Sequence, residues 1–258
     1  MYRFDWVVFW KYLWPVTALQ NPLIRNGLIV TVVVSVIAQV LGVILGLFAA
    51  LGKMSKIGPV RVIAEAYIWY FRGTPLLVQM MLLFFGLGIT HIYNFPDIHL
   101  GAMVISGAIQ AGTLALAINE GAYMAEIVRA GIEAIDPGQL EAAKSLGMPY
   151  GMAMRRIILP QAAKVIIPPL GNEFNNMMKT TSIMVVISAA ELFFAFTQVN
   201  ARLFKPFELF IAASFYYLAL TTIWSFIQSW IESSLGERKS VVRSPGFIQR
   251  VFQFKGAH

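Results

Sequence analysis

The chain has 258 residues, of which 58% are hydrophobic and 13% charged, with a net charge of +7 and no cysteine. Soluble domains carry about 25% charged residues, so this composition is that of a membrane protein. The missing cysteines exclude disulfides and thiolate metal sites. The basic residues are scattered through loops and the C-terminal stretch, where they report membrane orientation and argue against nucleic-acid binding.

Residues 1–24 form an N-terminal external segment. It carries Asp5, Lys11 and several tryptophans but no continuous apolar core ending at a cleavage site, so the later spans themselves would target the chain. Trp6, Trp10 and Trp14 among polar residues, with stops at Pro15 and Pro22, suit a helix lying at the headgroup level. From Asn26 to Leu51 the sequence is almost wholly apolar, about 26 residues or ~39 Å of helix, with a small-residue step from Gly42 to Gly46 for close packing. This is the first predicted span. Gly46, Gly52 and Lys53 imitate a phosphate loop, but the spacing is one too long and Met54 stands where Ser or Thr is required. The chain itself is not expected to bind ATP.

Lys53, Lys56 and Arg61 place the end of this span in the cytoplasm and the N-terminus outside. Residues 59–90 are helix-compatible over about 48 Å, too long for one straight crossing of a ~30 Å core. A break is predicted at Phe71-Arg72-Gly73-Thr74-Pro75, with Gly73 as bend, Thr74 as cap and Pro75 as first residue of a new helix. Thr90–Gly101 is read as an outer loop, and His91, Asp97 and His99 within it lack the close spacing of metal ligands. Residues 102–135 make a third tract, with an interruption expected at Asn119-Glu120-Gly121.

The island at 136–160 is polar and helix-capable. Asp136 is placed to cap a helix with Pro137 at its first position and Gln139 three residues on, Gly147 supplies a left-handed stop, and Pro149 opens a second helix that Pro160 closes. Residues 161–198 are the fourth tract, with interruptions read at Pro168-Pro169, Gly171-Asn172-Glu173 and Lys179–Ser182. Asn200–Phe207 returns outside, Glu208–Trp230 is the last span, and the basic tail 236–258 is cytoplasmic. The expected fold is therefore all-α and integral to the membrane, five transmembrane helices over 25–235. With an odd span count and no internal repeat, a translocation pathway needs a second chain, the same or related.

Charges within spans are expensive and mark function by default. Arg72, Glu120 and Glu173 each lie at an interruption. A helix restarting after Thr74 offers its positive end, and Arg72 a full charge, to a carboxylate, while Glu120 or Glu173 would face an ammonium. The alternative is that Arg72 simply pairs with one of these acids. Lys179 has Glu173, Glu126 or Glu191 as possible partners. Tyr123, Gln79, Met80 and Met81 lie near the breaks as pathway lining or as packing, and Glu126, Arg129 and Glu133 are spaced for structural helix-surface pairs.

Glu141-Ala142-Ala143, Gly147, Ile157 or Ile158, Leu159 and Pro160 resemble the EAA loop of ABC transporter membrane subunits. Phe71–Gln79, Glu126–Ile132, Gly147-Met148 and Leu170–Phe174 resemble the polar amino-acid uptake branch of that family. The resemblance implies a type I importer permease core, paired with itself or a paralogue. Two ATP-binding cassette subunits would use ATP and magnesium, with no cofactor on this chain. A periplasmic or lipid-anchored binding protein would deliver an amino acid, and the location would be a bacterial cytoplasmic membrane.

It further implies coupling to the ATPase through Glu141, Ala142, Ala143 and Gly147. Substrate would bind near the midplane around Arg72, Gly73 and Thr74, Asn119, Glu120 and Tyr123, and Asn172 and Glu173. Two departures stand out. Lys179-Thr180-Thr181-Ser182 replaces the family's Lys-Asp-Thr-Ser, and Glu120 replaces a neutral residue. Neither HExxH nor GxSxG is present, so an enzyme is not expected. An ATP-independent carrier or channel is the alternative, but it would have no use for a cytoplasmic docking helix.

Overall fold

The computed structural model describes residues 3–101 and 103–234; the tail 236–258 lies outside the described residues. Asp5 caps α1 (Trp6–Leu13), accepting from the Val8 N–H at 3.1 Å. That bond, with Lys205 3.4 Å away, holds the Asp5 carboxyl below the usual carboxylate range. After α2 (Pro15–Ala18), Asn21 caps α3 (Pro22–Lys53), which has Pro22 in its first turn and is longer at both ends than its apolar run. One face of α3, including Ile29, Val33, Val40 and Phe48, is exposed and apolar, as a lipid-facing helix requires.

Helix α4 (Gly58–Gly73) ends at the predicted break, and the chain restarts as α5 (Leu76–Met81). A π-helical turn at Leu82–Gly86 leads on to α6 (Leu87–Ile89). The two halves meet at 107°. The cap assignments need correcting: the restart follows Pro75, which sits extended before the first helical residue, and the Thr74 hydroxyl instead donates back to Tyr70 O at 2.8 Å. The loop between α6 and α7 holds a short antiparallel hairpin, β1 (Ile98–Leu100) and β2 (Met103–Ile105), with Ile98 opposite Ile105.

A second correction concerns α7 (Gly107–Glu133), which runs unbroken through Asn119-Glu120-Gly121. Polar side chains do not break a helix when neighbours satisfy them, and Asn119 and Glu120 both find amide partners on adjacent helices. Helix α7 is the centre of the bundle, packed against α3, α4, α5 and α10. Gly42 and Gly46 let α3 lie directly on it: a Cβ at Gly42 would fall 2.6 Å from Glu120 Cγ.

Helix α8 (Pro137–Ser145) and α9 (Tyr150–Ala153) form the island. Pro160 does not close it. A π-helical turn at Met154–Ile158, in which the Leu159 N–H reaches Met154 O, carries the chain into α10 (Leu159–Thr180). The wide turn gives the proline a place without a hydrogen-bond donor. Helix α10 also passes through Pro168-Pro169 and Gly171-Asn172-Glu173 unbroken, so the true interruption in this tract is later. A 3-10 stretch at Thr181–Ile187 ends at Ser188, left-handed at φ 59°, and α11 (Leu192–Leu203) restarts at 49° to it. Phe204, also left-handed, turns the chain into α12 (Pro206–Ser234), so only two residues separate α11 from α12.

Helices α3 and α12 are long and apolar enough to cross a bilayer, and the two bent pairs reach the same length. Helix α7, 27 residues long, has the length of a crossing but not that apolarity. Its Gly- and Ala-rich surface is mostly buried against its neighbours, which relieves it of the lipid-facing apolar residues the others carry.

Candidate functional site

Two constructions stand out: the break between α4 and α5, and the island. At the break, α4 ends with carbonyls that have no helical partner, and two side-chain amides catch them. The Gln79 Nε2 lies 3.0 Å from Phe71 O, 3.0 Å from Thr74 O and 2.7 Å from Thr74 Oγ1. Asn119 Nδ2, from α7, donates to Phe71 O and to Gln79 Oε1, both at 3.0 Å. The sharp bend is therefore fixed from three elements, and no side chain caps the start of α5. Substituting Gln79 by leucine should leave Thr74 O without an amide donor and Phe71 O with Asn119 alone. The expected loss is about 1–3 kcal/mol in thermal unfolding of the detergent-solubilised chain.

Arg72, exposed on the last turn of α4, makes no ion pair among the described residues; its guanidinium lies 5.5 Å from the centre of the Tyr123 ring. Together with Gly73 and Tyr123 it lines a cleft of about 470 Å³ between α4 and α7. The far end of the cleft is a charged network in which Lys53 meets Glu126 at 2.5 Å and Glu126 meets Arg129 at 2.8 Å, Arg129 also pairing with Glu133. The expected helix-surface pairs are thus present, with Lys53 as an additional member.

The predicted site residues divide. Arg72, Gly73, Thr74, Asn119 and Tyr123 gather around one break. Glu120 is turned to α3, where it accepts from Gln39 Nε2 at 3.1 Å, and it does not meet Arg72 in an ion pair. Asn172 lies on the seam between α10 and α12, its Oδ1 accepting from Gln228 at 3.2 Å, near the Trp224 N–H that donates to Gly171 O. Glu173 is half-buried on α10. The acids that share the cleft with Arg72 are Glu65 and Glu126.

Sequence reasoning named Glu191 only as a possible partner of Lys179, a pair that does not form among the described residues, and missed its role as a cap. Fully buried, it caps α11 by accepting from Phe193 N at 2.8 Å and Phe194 N at 2.6 Å. An acid after Ser-Ala-Ala and before an apolar run was the available signal.

On the island, Asp136 Oδ1 accepts from the Gly138 N–H at 2.8 Å. Gly147, at φ +76°, donates to Lys144 O at 2.9 Å while Met148 N–H reaches Ala143 O at 3.0 Å, the paired bonds of a Schellman stop. Ala143 is buried, and Glu141 and Ala142 face outward. Beside them Leu146 is 82% exposed and Tyr150 59%, apolar surface of the kind that a partner covers. Asp136→Ala should cost about 1 kcal/mol, read as fraying of α8 in amide exchange.

A family model described as binding-protein-dependent transport system inner membrane component matches residues 42–237. The chain is 38% identical over 219 residues to the arginine transport system permease protein ArtQ of Bacillus subtilis, covering 85% of this chain and 95% of that one. It is 41% identical over 189 residues to the arginine transport system permease protein ArgU of Corynebacterium glutamicum. That match takes in 71% of this chain but only 58% of the longer relative. A solved structure described as an amino acid ABC transporter with histidines superimposes with a TM-score of 0.78 at 42% identity, over 90% of this chain and 100% of that one.

Proposed function

The chain belongs to the family of binding-protein-dependent transport system inner membrane components, multi-pass proteins of the amino-acid ABC permease kind, and from this we propose that it forms one half of an ATP-driven amino-acid import pathway. The other half is a second copy or a paralogue. Hydrolysis of ATP with magnesium belongs to two separate cassette subunits, and an external binding protein delivers the cargo. The basic residues Lys53, Lys56 and Arg61 support a cytoplasmic position for that end of α3 and for the island, with the N-terminus and the β1–β2 hairpin outside.

One observation carries the reading. The island presents Glu141, Ala142, Leu146 and Tyr150 outward, and its second helix, α9, is continuous through the π-helical turn with α10. A push on α8 and α9 is thereby delivered along a helix into the membrane, which is what coupling to an ATPase requires and what an unassisted carrier does not. The test is copurification. Wild type should carry an ATPase subunit through affinity purification, and Glu141→Lys should lose it. Full-rate amino-acid flux by the purified chain without an ATPase would overturn the proposal.

The cargo contacts proposed here are those around the first break, Arg72, Gly73, Thr74, Asn119 and Tyr123. The guanidinium, in no ion pair among the described residues and just before an uncapped helix start, suits the carboxylate every amino acid carries. Removing a charge-assisted bond costs about 1.5–3 kcal/mol, so Arg72→Ala should lower transport at limiting substrate about 10- to 100-fold with assembly intact. Unchanged transport in that variant would assign Arg72 to packing on Tyr123.

A further inference from the structure

We propose that Glu120 is a proton-binding site in the interior of the bundle, holding its proton in an acid–amide pair with Gln39 that latches α3 to α7. Both residues are 6% exposed. The Gln39 Nε2 donates to Glu120 Oε1 at 3.1 Å, while Gln39 Oε1 is buried with no hydrogen-bond partner. An ionised Glu120 leaves that carbonyl orphaned, because a carboxylate has nothing to donate. A carboxylic acid donates its O–H to the amide oxygen and accepts the amide N–H in return, so one proton satisfies both groups. Turning the amide over puts two oxygens 3.1 Å apart, an arrangement that also needs a proton between them.

The surroundings point the same way. Gly42 brings the backbone of α3 against the stem of Glu120. The titratable groups facing it from the packed elements are Tyr67 of α4, whose hydroxyl donates to Ile118 O at 2.6 Å, and Glu173 of α10, a like charge when ionised. From α3 it meets only the neutral Gln39, and Gln79 of α5 is engaged with Asn119. No cation pairs with it among the described residues. A carboxylate here would face one N–H donor and a second acid, whereas the protonated acid is matched by both polar atoms of the Gln39 amide.

The experiment is infrared difference spectroscopy at pH 7, in deuterated buffer, on the chain in lipid nanodiscs with whatever subunits copurify. Wild type minus E120Q should show a lost acid C=O stretch and no lost carboxylate bands. In Q39L the acid band should persist at higher frequency, since the amide that lengthens its C=O is gone. Loss of carboxylate bands in E120Q, or a Q39L spectrum with no displaced acid band, overturns the proposal. Should E120Q fail to fold, the Q39L spectrum alone decides, because Glu120 is intact in it.

Discussion

Gly147→Val is expected to reduce ATP-driven uptake by about 5- to 30-fold, whereas Gly147→Asn retains most of it. The residue sits at φ +76° with nothing within 4 Å of the position a Cβ would occupy. The effect is therefore conformational and does not arise from a clash. A left-handed residue other than glycine or asparagine costs about 1–2 kcal/mol, and β-branched side chains are the poorest fit. In Gly147→Val the Schellman bonds to Lys144 O and Ala143 O are strained, and α8 no longer ends where α9 begins. Glu141 and Leu146 are then presented at the wrong angle to the proposed ATPase partner. The measurement is uptake into proteoliposomes loaded with ATP, alongside the amount of ATPase subunit retained. Equal loss in the valine and asparagine variants would show that the hinge angle is not what the coupling depends on.

The same residues show why parts of the fold were legible in the sequence. Local chemistry was readable wherever the backbone itself demands a residue type. Asp136-Pro137 at a helix start, Gly147 at a stop and Arg72-Gly73-Thr74-Pro75 at a break were all found, with the cap at the break displaced by one residue. What failed was the inference from polarity to interruption. Asn119-Glu120-Gly121 reads as a weak point, yet Gln79 and Gln39, forty and eighty-one positions away, satisfy it from outside the helix. Pro168-Pro169 fails in the same way, since α12 supports that stretch through Trp224 and Gln228. Pairings across such separations leave no periodic trace in a single chain. For the candidate site, Arg72, Asn119 and Tyr123 were named by type and position, and the structure brings them together around one break. That Glu120 turns to α3 instead of toward Arg72 depends on the rotation of α7, which the packing of Gly42 and Gly46 sets.

The largest effect on stability is expected at Glu191, the residue with the weakest sequence signal. Its carboxylate is 0% exposed and accepts from four donors: Phe193 N, Phe194 N, the Tyr217 hydroxyl at 2.9 Å and the Thr31 hydroxyl at 3.4 Å. Thr31 Oγ1 in turn accepts the Leu192 N–H at 3.1 Å. One side chain thus ties α3 and α12 to the restart of α11, directly after the left-handed turn at Ser188. Glu191→Leu has similar bulk but orphans all four donors where water cannot replace it, and each unsatisfied group costs about 1–3 kcal/mol. Neighbouring losses are not additive, so about 3–5 kcal/mol is expected, the range for breaking a buried charged network. Glu191→Gln keeps one accepting oxygen but turns an NH2 toward donors, and should fall between wild type and leucine. Thr31→Val removes one of the weaker members and should cost about 1 kcal/mol. Thermal unfolding followed by circular dichroism in detergent gives the order directly. If Glu191→Leu melts with wild type, the break between the 3-10 stretch and α11 is held by packing around Phe196 and Leu209, and the buried carboxylate is dispensable.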